Sequence, residues 1–478
     1  MNEPSSPLRI AVVGHANTGK TSLLQTLLRR RDFGVVSPTG GTTRSVKAGE
    51  IISVINEDET LAIILDTPGL EDSINLRNKI ESLRTDRRED PRTLLDRFLA
   101  SPAAQDSNDL AMEASSLEAA MQSDVLLYAI DARDEPQPRH LDELAVLGMT
   151  ARPLIPLLNF TARPEADADS WRDACARQGL HATVSFDAIV FDDAGEARLL
   201  DAIRTLAPAR EDAIDAWRAL RKSERADAIA GANEIAADFL IDAAAAIIVT
   251  NPSSREALAR EEAFKAATKM LLDALREHES RAMHRIAGIF GFSGEEADAA
   301  LLEITDAMGG VDFADTASLE RAGLWAAGAG TGLVAAGAIV DLAVGGISLG
   351  GFTALGAVGA AIGAIGGSGP KILRRLRGQD EVRIGKTGLA LLELRQHATT
   401  EAFLKRGHAA IEPARIEATI TKAFMDQSDG EPEKLLAEAR GHPKWSRLSI
   451  PGGWQGGSNA RASLALRIAT SLGRRFKD

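Results

Sequence analysis

Residues 14–21 read Gly-His-Ala-Asn-Thr-Gly-Lys-Thr, a G-x-x-x-x-G-K-[ST] pattern in which each fixed position has a chemical task. Gly14 and Gly19 let the backbone turn tightly enough for amide N–H groups to wrap a phosphate. A helix beginning near Gly19 turns its positive end to the same anion. Lys20 reaches the β- and γ-phosphates, and the Thr21 hydroxyl ligates Mg²⁺. Residues 61–69, Leu-Ala-Ile-Ile-Leu-Asp-Thr-Pro-Gly, add an apolar run that ends in Asp66, where a carboxylate can hold Mg²⁺ through water. Gly69 places an amide near the γ-phosphate. Between the two motifs, Gly40-Gly41-Thr42-Thr43-Arg44 is polar and Gly-rich, and its threonine hydroxyls offer a second Mg²⁺ ligand.

Such side chains need a rigid frame. Leu8-Arg9-Ile10-Ala11-Val12-Val13 suits a buried strand, and Ser22 to Leu28 has helical periodicity. Further strand signals lie near residues 46–55, 60–66, 124–130, 153–158 and 181–190, alternating with helical patterns. That alternation predicts an α/β fold with a doubly wound sheet. Gly-rich turns before helices also occur without a ligand. Strand, loop, Lys-Thr and helix together read as a nucleotide site.

The order, spacing and content of these motifs resemble the switch regions of translation-factor-class P-loop GTPases, most closely the Era and TrmE branch, over roughly residues 8–205. The resemblance implies that Gly14, Asn17, Thr18, Gly19, Lys20, Thr21 and Ser22 bind phosphates and Mg²⁺. It makes Thr43 the switch I threonine, and Asp66 and Gly69 the switch II pair. Lys20, Thr43 and Asp66 would carry catalysis, with Thr21, Thr43 and Asp66 around the metal. Asn17 stands where that branch often has an asparagine that helps to bind K⁺; it reads equally as a loop-stabilising side chain. Leu70 follows the Asp-Thr-Pro-Gly, where Ras-like GTPases have a water-orienting glutamine. A leucine cannot polarise water, so hydrolysis is either slow or assisted by a cation, a partner or a homodimer. Arg44 reads as a charge stabiliser or as a solvated loop residue.

Base recognition departs from the pattern. Where Asn-Lys-x-Asp is usual, the chain has Asn159-Phe160-Thr161-Ala162. Asn159 is kept, Phe160 could stack on a base, and the aspartate is absent at 162. Asp167 or Asp169 substitutes only if the loop folds back. Ser185-Phe186-Asp187-Ala188 looks like the last base loop, with Ser185 as its nucleotide contact; the alternative is an ordinary strand end. GTP rather than ATP follows from the resemblance alone.

A chain of 478 residues exceeds one domain. The formal net charge of −13 disfavours nonspecific nucleic-acid binding, and aromatics at 4% give no stacking platform for single strands. The single cysteine, Cys175, forms no internal disulfide and reads as a packing residue in a cytoplasmic protein. Residues 1–7 do not read as a signal peptide. The eight histidines lack metal-ligand spacing, and His15 reads as a spacer within the loop. Glu71 to Ser123 is charged, a solvated face or loop.

From about Pro208 the strand signals vanish, and Ala, Glu and Arg dominate as in long helices. Ser253 with Glu256, and Ser293 with Glu296, read as capping boxes. Gly323 to Ser368 is rich in glycine and alanine, with Asp341 its one charged residue. Gly328/Gly332, Gly346/Gly350 and Gly359/Gly363 are spaced as in packed membrane helices. Asp341 divides the run into two segments near spanning length, with Lys371, Arg374, Arg375 and Arg377 after it. The organisation expected is therefore a P-loop GTPase domain at 1–207, a helical region at 208–320, a hydrophobic helical hairpin with a basic exit at 321–378, and a C-terminal helical region at 379–478. The hairpin is either inserted at the cytoplasmic face of a membrane or buried in an all-α domain. The combination resembles bacterial GTPases that carry a C-terminal helical domain of unknown function.

Three functions fit these readings. The first is a switch that hydrolyses GTP to GDP with Mg²⁺, partnered by membrane lipid or a membrane protein and by no nucleic acid. The second is a soluble assembly GTPase acting on ribosome or RNA. The third is a weakly hydrolysing nucleotide-dependent scaffold.

Overall fold

The computed structural model describes residues 6–30, 32–33, 45–53, 59–105, 109–254, 256–307, 340–344, 347–348, 381–407, 431–448 and 458–476. The chain divides into two compact units, one of Met1–Arg225 with Lys405–Glu412, the other of Ala226–Leu404 with Pro413–Asp478.

The first unit is built on a six-stranded sheet. Its strands are β1 (Leu8–Val13), β2 (Lys47–Ile52), β3 (Thr60–Asp66), β4 (Val125–Asp131), β5 (Leu154–Asn159) and β6 (Val184–Ser185), in spatial order β2-β3-β1-β4-β5-β6. All neighbours run parallel except β2, which pairs antiparallel with β3. The side-chain alternation of β1 explains the layering. Leu8, Ile10 and Val12 enter one core, with Leu23, Leu24 and Leu27 of α1 (Lys20–Leu28). Ala11 and Val13 enter the other. A sheet buried on both faces needs continuous apolar strands, and β4 is buried at every position.

Helices α2 (Ser73–Ser82), α3 (Pro91–Leu99), α4 (Ala111–Met121), α5 (Pro138–Gly148) and α6 (Ala168–Arg177) supply residues to the second core. Helix α7 (Asp193–Leu206) joins the first, together with Ile214, Trp217 and Leu220 from the start of α8 (Glu211–Ala245). The division between the units falls within α8.

The second unit is largely helical, as its composition predicts. It holds the rest of α8, α9 (Ala257–Ile289), α10 (Gly294–Ala307), α11 (Lys386–Leu404), α12 (Glu431–Ala439) and α13 (Asn459–Gly473). The Ser293 and Glu296 capping box forms, with Ser293 N donating to Glu296 Oε2 at 2.9 Å. The one expected at Ser253 does not, because α9 begins only at Ala257. Inside this unit Asp242, fully buried, receives His278 Nε2 at 2.7 Å and Arg461 at 3.2 Å. Arg395 and Glu279 make a second buried pair at 2.7 Å.

One expectation for this half is corrected. It is not all-α, since β7 (Ile248–Val249), β8 (Val340–Val344), β9 (Ile347–Ser348) and β10 (Glu381–Ile384) form an antiparallel sheet in the order β7-β10-β8-β9. Two of these strands lie inside the run expected to be a helical hairpin. Val340, Val344 and Ile347 are β-branched and suit strands, a local preference masked by the surrounding Gly and Ala. Asp341, expected near a helical turn, stands opposite Arg383 in the strand register. The rest of 308–380 lies outside the described residues, and so does most of the proposed hairpin. Among the described residues no helix is long and apolar enough to cross a membrane.

Candidate functional site

The G-x-x-x-x-G-K-[ST] segment leaves the C-terminal end of β1, one of the two middle strands of the sheet, and runs into α1. That is the edge at which open α/β sheets bind ligands. Gly14 has φ of 138°, Asn17 67° and Gly19 82°, so the loop passes through three left-handed turns in six residues. Asparagine tolerates that conformation, and the Asn17 side chain is exposed. At Gly19 a Cβ would lie 2.4 Å from Asn159 Nδ2, so only glycine fits. Gly19→Ala is expected to weaken nucleotide affinity at least about tenfold, since a left-handed Ala costs about 1–2 kcal/mol before the clash is counted. A calorimetric titration with GDP would measure it; an unchanged Kd would contradict this geometry.

Lys20 is buried, and its Nζ arches over the loop to donate to the carbonyls of Gly14 at 3.1 Å and His15 at 2.6 Å. Burial pushes its ammonium down to about 8; Asp66, Glu143 and Glu71 oppose that shift. Thr21 Oγ1 donates to Asp66 Oδ2 at 2.8 Å, and both residues are buried. A hydroxyl and a carboxylate side by side are the oxygen donors Mg²⁺ takes, so this pair fits the metal chemically. Ser22 is buried on the same first turn, and Thr18 Oγ1 donates to His15 O at 3.0 Å.

Switch II begins against the loop. Leu70 N donates to Gly14 O at 3.1 Å, and Gly69 lies so close to Ala16 that a Cβ would be 2.9 Å from its Cα. Leu70 itself is fully buried in the core beneath α2 and α5. Its side chain is a packing element, turned into the protein rather than toward a phosphate.

His15 is more than a spacer. Its Nδ1 lies 3.0 Å from Leu70 O and 2.8 Å from Glu143 Oε1. Both partners accept, so Nδ1 carries the hydrogen. Glu143 is fully buried on α5 and also accepts from Tyr128 Oη at 2.8 Å. Burial and the Glu143 carboxyl hold the Tyr128 phenol well above its usual range, which keeps it a donor. Beside them His140 is pushed down to about 4, chiefly by burial, and stays neutral against Trp171. Tyr128, Glu143 and His15 thus tie β4 and α5 to the loop and to Leu70, the residue after Gly69. No motif signals this link, because its members are far apart in sequence.

At the base end, Asn159 Nδ2 donates to Thr18 O at 3.1 Å, while its Oδ1 accepts from Phe160 N at 2.9 Å and Ala188 N at 3.0 Å. It clamps the phosphate loop to both base loops. Phe160 has φ of 58°, and Arg133 lies 4.2 Å from its ring centroid. Ser185 Oγ accepts from Arg172 at 3.2 Å. Asp167 and Asp169 do not reach the base loops. Asp167 caps α6 through Ser170, and Asp169 pairs with Arg172. Asp187 follows Ser185 in the last base loop, and its Oδ2 accepts from Ala162 N at 3.1 Å. Thr43 and Arg44 lie outside the described residues. Cys175 is buried and its thiol is pushed up to about 11, as a packing residue should be.

A mostly parallel sheet with this loop, a buried Thr21–Asp66 pair and Asn159 bridging the base loops defines a P-loop GTPase domain. Residues 9–160 match the family described as 50S ribosome-binding GTPase. Residues 172–469 match the domain of unknown function DUF3482, and the chain belongs to that family. It is 30% identical over 129 residues to GTPase Der of Sulfurimonas denitrificans, which covers 27% of this chain and 19% of that protein. It is 39% identical over 88 residues to the mitochondrial GTPase Era of Danio rerio, 17% of this chain and 19% of that protein. The chain thus spans a minor part of these relatives. Among solved structures, Aquifex aeolicus Era bound to GDP.AlF4- aligns with a TM-score of 0.30 at 21% identity, over 42% of this chain and 56% of that one.

Proposed function

We propose that the chain binds GTP with Mg²⁺ at Gly14–Ser22, hydrolyses it to GDP and phosphate, and serves as a nucleotide-dependent switch. The observation that carries this is the buried Thr21–Asp66 pair beside Lys20, at the end of β1 and β3. Lys20 would hold the β- and γ-phosphates, the loop amides and the start of α1 would wrap them, and Thr21 and Asp66 would hold Mg²⁺. The metal, when bound, neutralises charge that builds on the phosphate oxygens. Water attacks the γ-phosphorus, the bond to the β–γ bridging oxygen breaks, and GDP leaves with that electron pair. Leu70 orients no water, so catalysis rests on position and charge. The His15 link would report the loop's occupancy to switch II.

Asn17 supports a K⁺ requirement by its place in the loop. Turnover of Mg²⁺-GTP by the full chain is expected to rise at least about tenfold when NaCl is replaced by KCl, the scale of one added charge contact in the transition state. Equal rates in the two salts would remove K⁺ from the account.

For the partner, the description of the family matched by residues 9–160 favours the ribosome-directed reading. Val340–Val344 and Ile347–Ser348, as strands, leave the membrane reading resting on composition alone. Sedimentation of the full chain with GTP or GDP separates the two. Nucleotide-dependent movement with ribosomal particles supports the first, and retention in carbonate-washed membranes supports the second.

A further inference from the structure

We infer that Asp187 supplies the carboxylate that reads the guanine edge, in place of the aspartate missing at position 162. The inference rests on the GTP reading above and deepens it.

Guanine presents N1–H and a 2-amino group on one edge, both donors. Reading that edge needs a fixed acceptor. Position 162, where the pattern Asn-Lys-x-Asp would place it, is alanine. The loop after β6 brings a carboxylate to the backbone of Ala162. Asp187 Oδ2 accepts from Ala162 N at 3.1 Å, which puts the oxygen beside the backbone from which an aspartate at 162 would project. The same residue accepts through Oδ1 from Ile189 N at 2.8 Å and Val190 N at 3.1 Å. A carboxylate offers about four acceptor positions. Three are taken, and Oδ2 keeps one, which takes one of the two edge donors, the 2-amino group.

Two other observations bring this carboxylate to a ligand. Asp187, Ala162, Thr161 and Ser185 line one cavity of about 190 Å³, together with Asp192, Gly195 and Arg198 at the start of α7. The clamp through Asn159, which bonds both Thr18 O and Ala188 N, joins the loop carrying Asp187 to the phosphate loop. The carboxylate is thus held in a fixed register to the phosphate loop, as a base reader must be. Asp187 is 9% exposed, and its backbone bonds spare it from reorganising when a nucleotide arrives. The other nearby acids are engaged, Asp167 and Asp169 on α6, and Asp192, which lines the same cavity, in capping α7 and pairing with Arg198.

The test compares GTP with inosine triphosphate, which lacks the 2-amino group, in displacement titrations on the full chain. The wild type is expected to prefer GTP by roughly ten- to a hundredfold, the range of a hydrogen bond to a charged group. In Asp187→Ala that preference should collapse toward one, and Ala162→Asp added to it should restore the preference. Asp187→Asn keeps the size and one carbonyl oxygen, which guards against a variant that fails to fold. It replaces an acceptor with a donor, so it should raise affinity for xanthosine triphosphate, whose 2-position accepts, relative to GTP. A carboxylate that merely braces the loop would weaken all nucleotides alike and leave every ratio unchanged, which overturns the inference. So would a wild type that binds GTP and inosine triphosphate equally. A wild type that binds none of them overturns the GTP reading itself.

Discussion

Lys20→Ala is expected to abolish useful affinity for Mg²⁺-GTP. Removing a buried charge from an ion contact costs about 2–5 kcal/mol, at least roughly a thirtyfold rise in Kd. The loop should survive, since Lys20 donates to the carbonyls of Gly14 and His15 and both remain within the turn. Thermal melting of the apo variant should therefore stay close to the wild type while the nucleotide-induced shift disappears. The same residue sets a pH dependence. Burial brings its ammonium to about 8 in the free protein. A bound phosphate requires the charged form, so binding above pH 8 must take up a proton, and affinity falls as pH rises further. Below that value Lys20 is already charged and contributes no slope. An affinity that climbs between pH 8 and 10 would contradict the assignment.

Asp66→Ala should leave binding partly intact but lower turnover by about 10²–10³, the scale of losing one electrostatic contact to the transition state. Asp66 is fully buried at the end of β3 and accepts from Thr21 Oγ1 at 2.8 Å. Its removal strips the oxygen pair that suits Mg²⁺ and leaves the phosphate contacts of the loop in place. The signature is a split. GDP affinity in EDTA should match the wild type, and only the gain on adding Mg²⁺ should vanish. If turnover falls without loss of the Mg²⁺ gain, Asp66 acts on packing rather than on the metal.

The strands that carry this site were legible because burial on both faces writes long apolar runs into the sequence. Leu8–Val13, Thr60–Asp66 and Leu154–Asn159 all fall within a residue of their expected bounds. The phosphate loop was legible because its chemistry fixes residue types at short spacing. Contacts between distant loops were not. His15 meets Glu143 128 residues away, and Ala162 meets Asp187 across two elements, so neither pairing leaves a local pattern. Asp167 and Asp169 are near Ala162 in sequence, but the cap of α6 takes Asp167 and Arg172 takes Asp169. The second sheet was hidden differently. β7 and β9 are two residues long, and β8 sits among glycines and alanines that read as helix packing. Backbone pairing with β10 across long separations, which no short window holds, makes β7 and β8 strands, and β9 pairs locally with β8.

The central claim is that the end of β1 is a working Mg²⁺-GTP site. The most direct measurement is release of inorganic phosphate from Mg²⁺-GTP by the full chain, beside Lys20→Ala and beside the wild type in EDTA. The account predicts sustained release by the wild type that both EDTA and the substitution abolish. Equal release by Lys20→Ala, or nucleotide binding without any release under saturating Mg²⁺ and KCl, would contradict it.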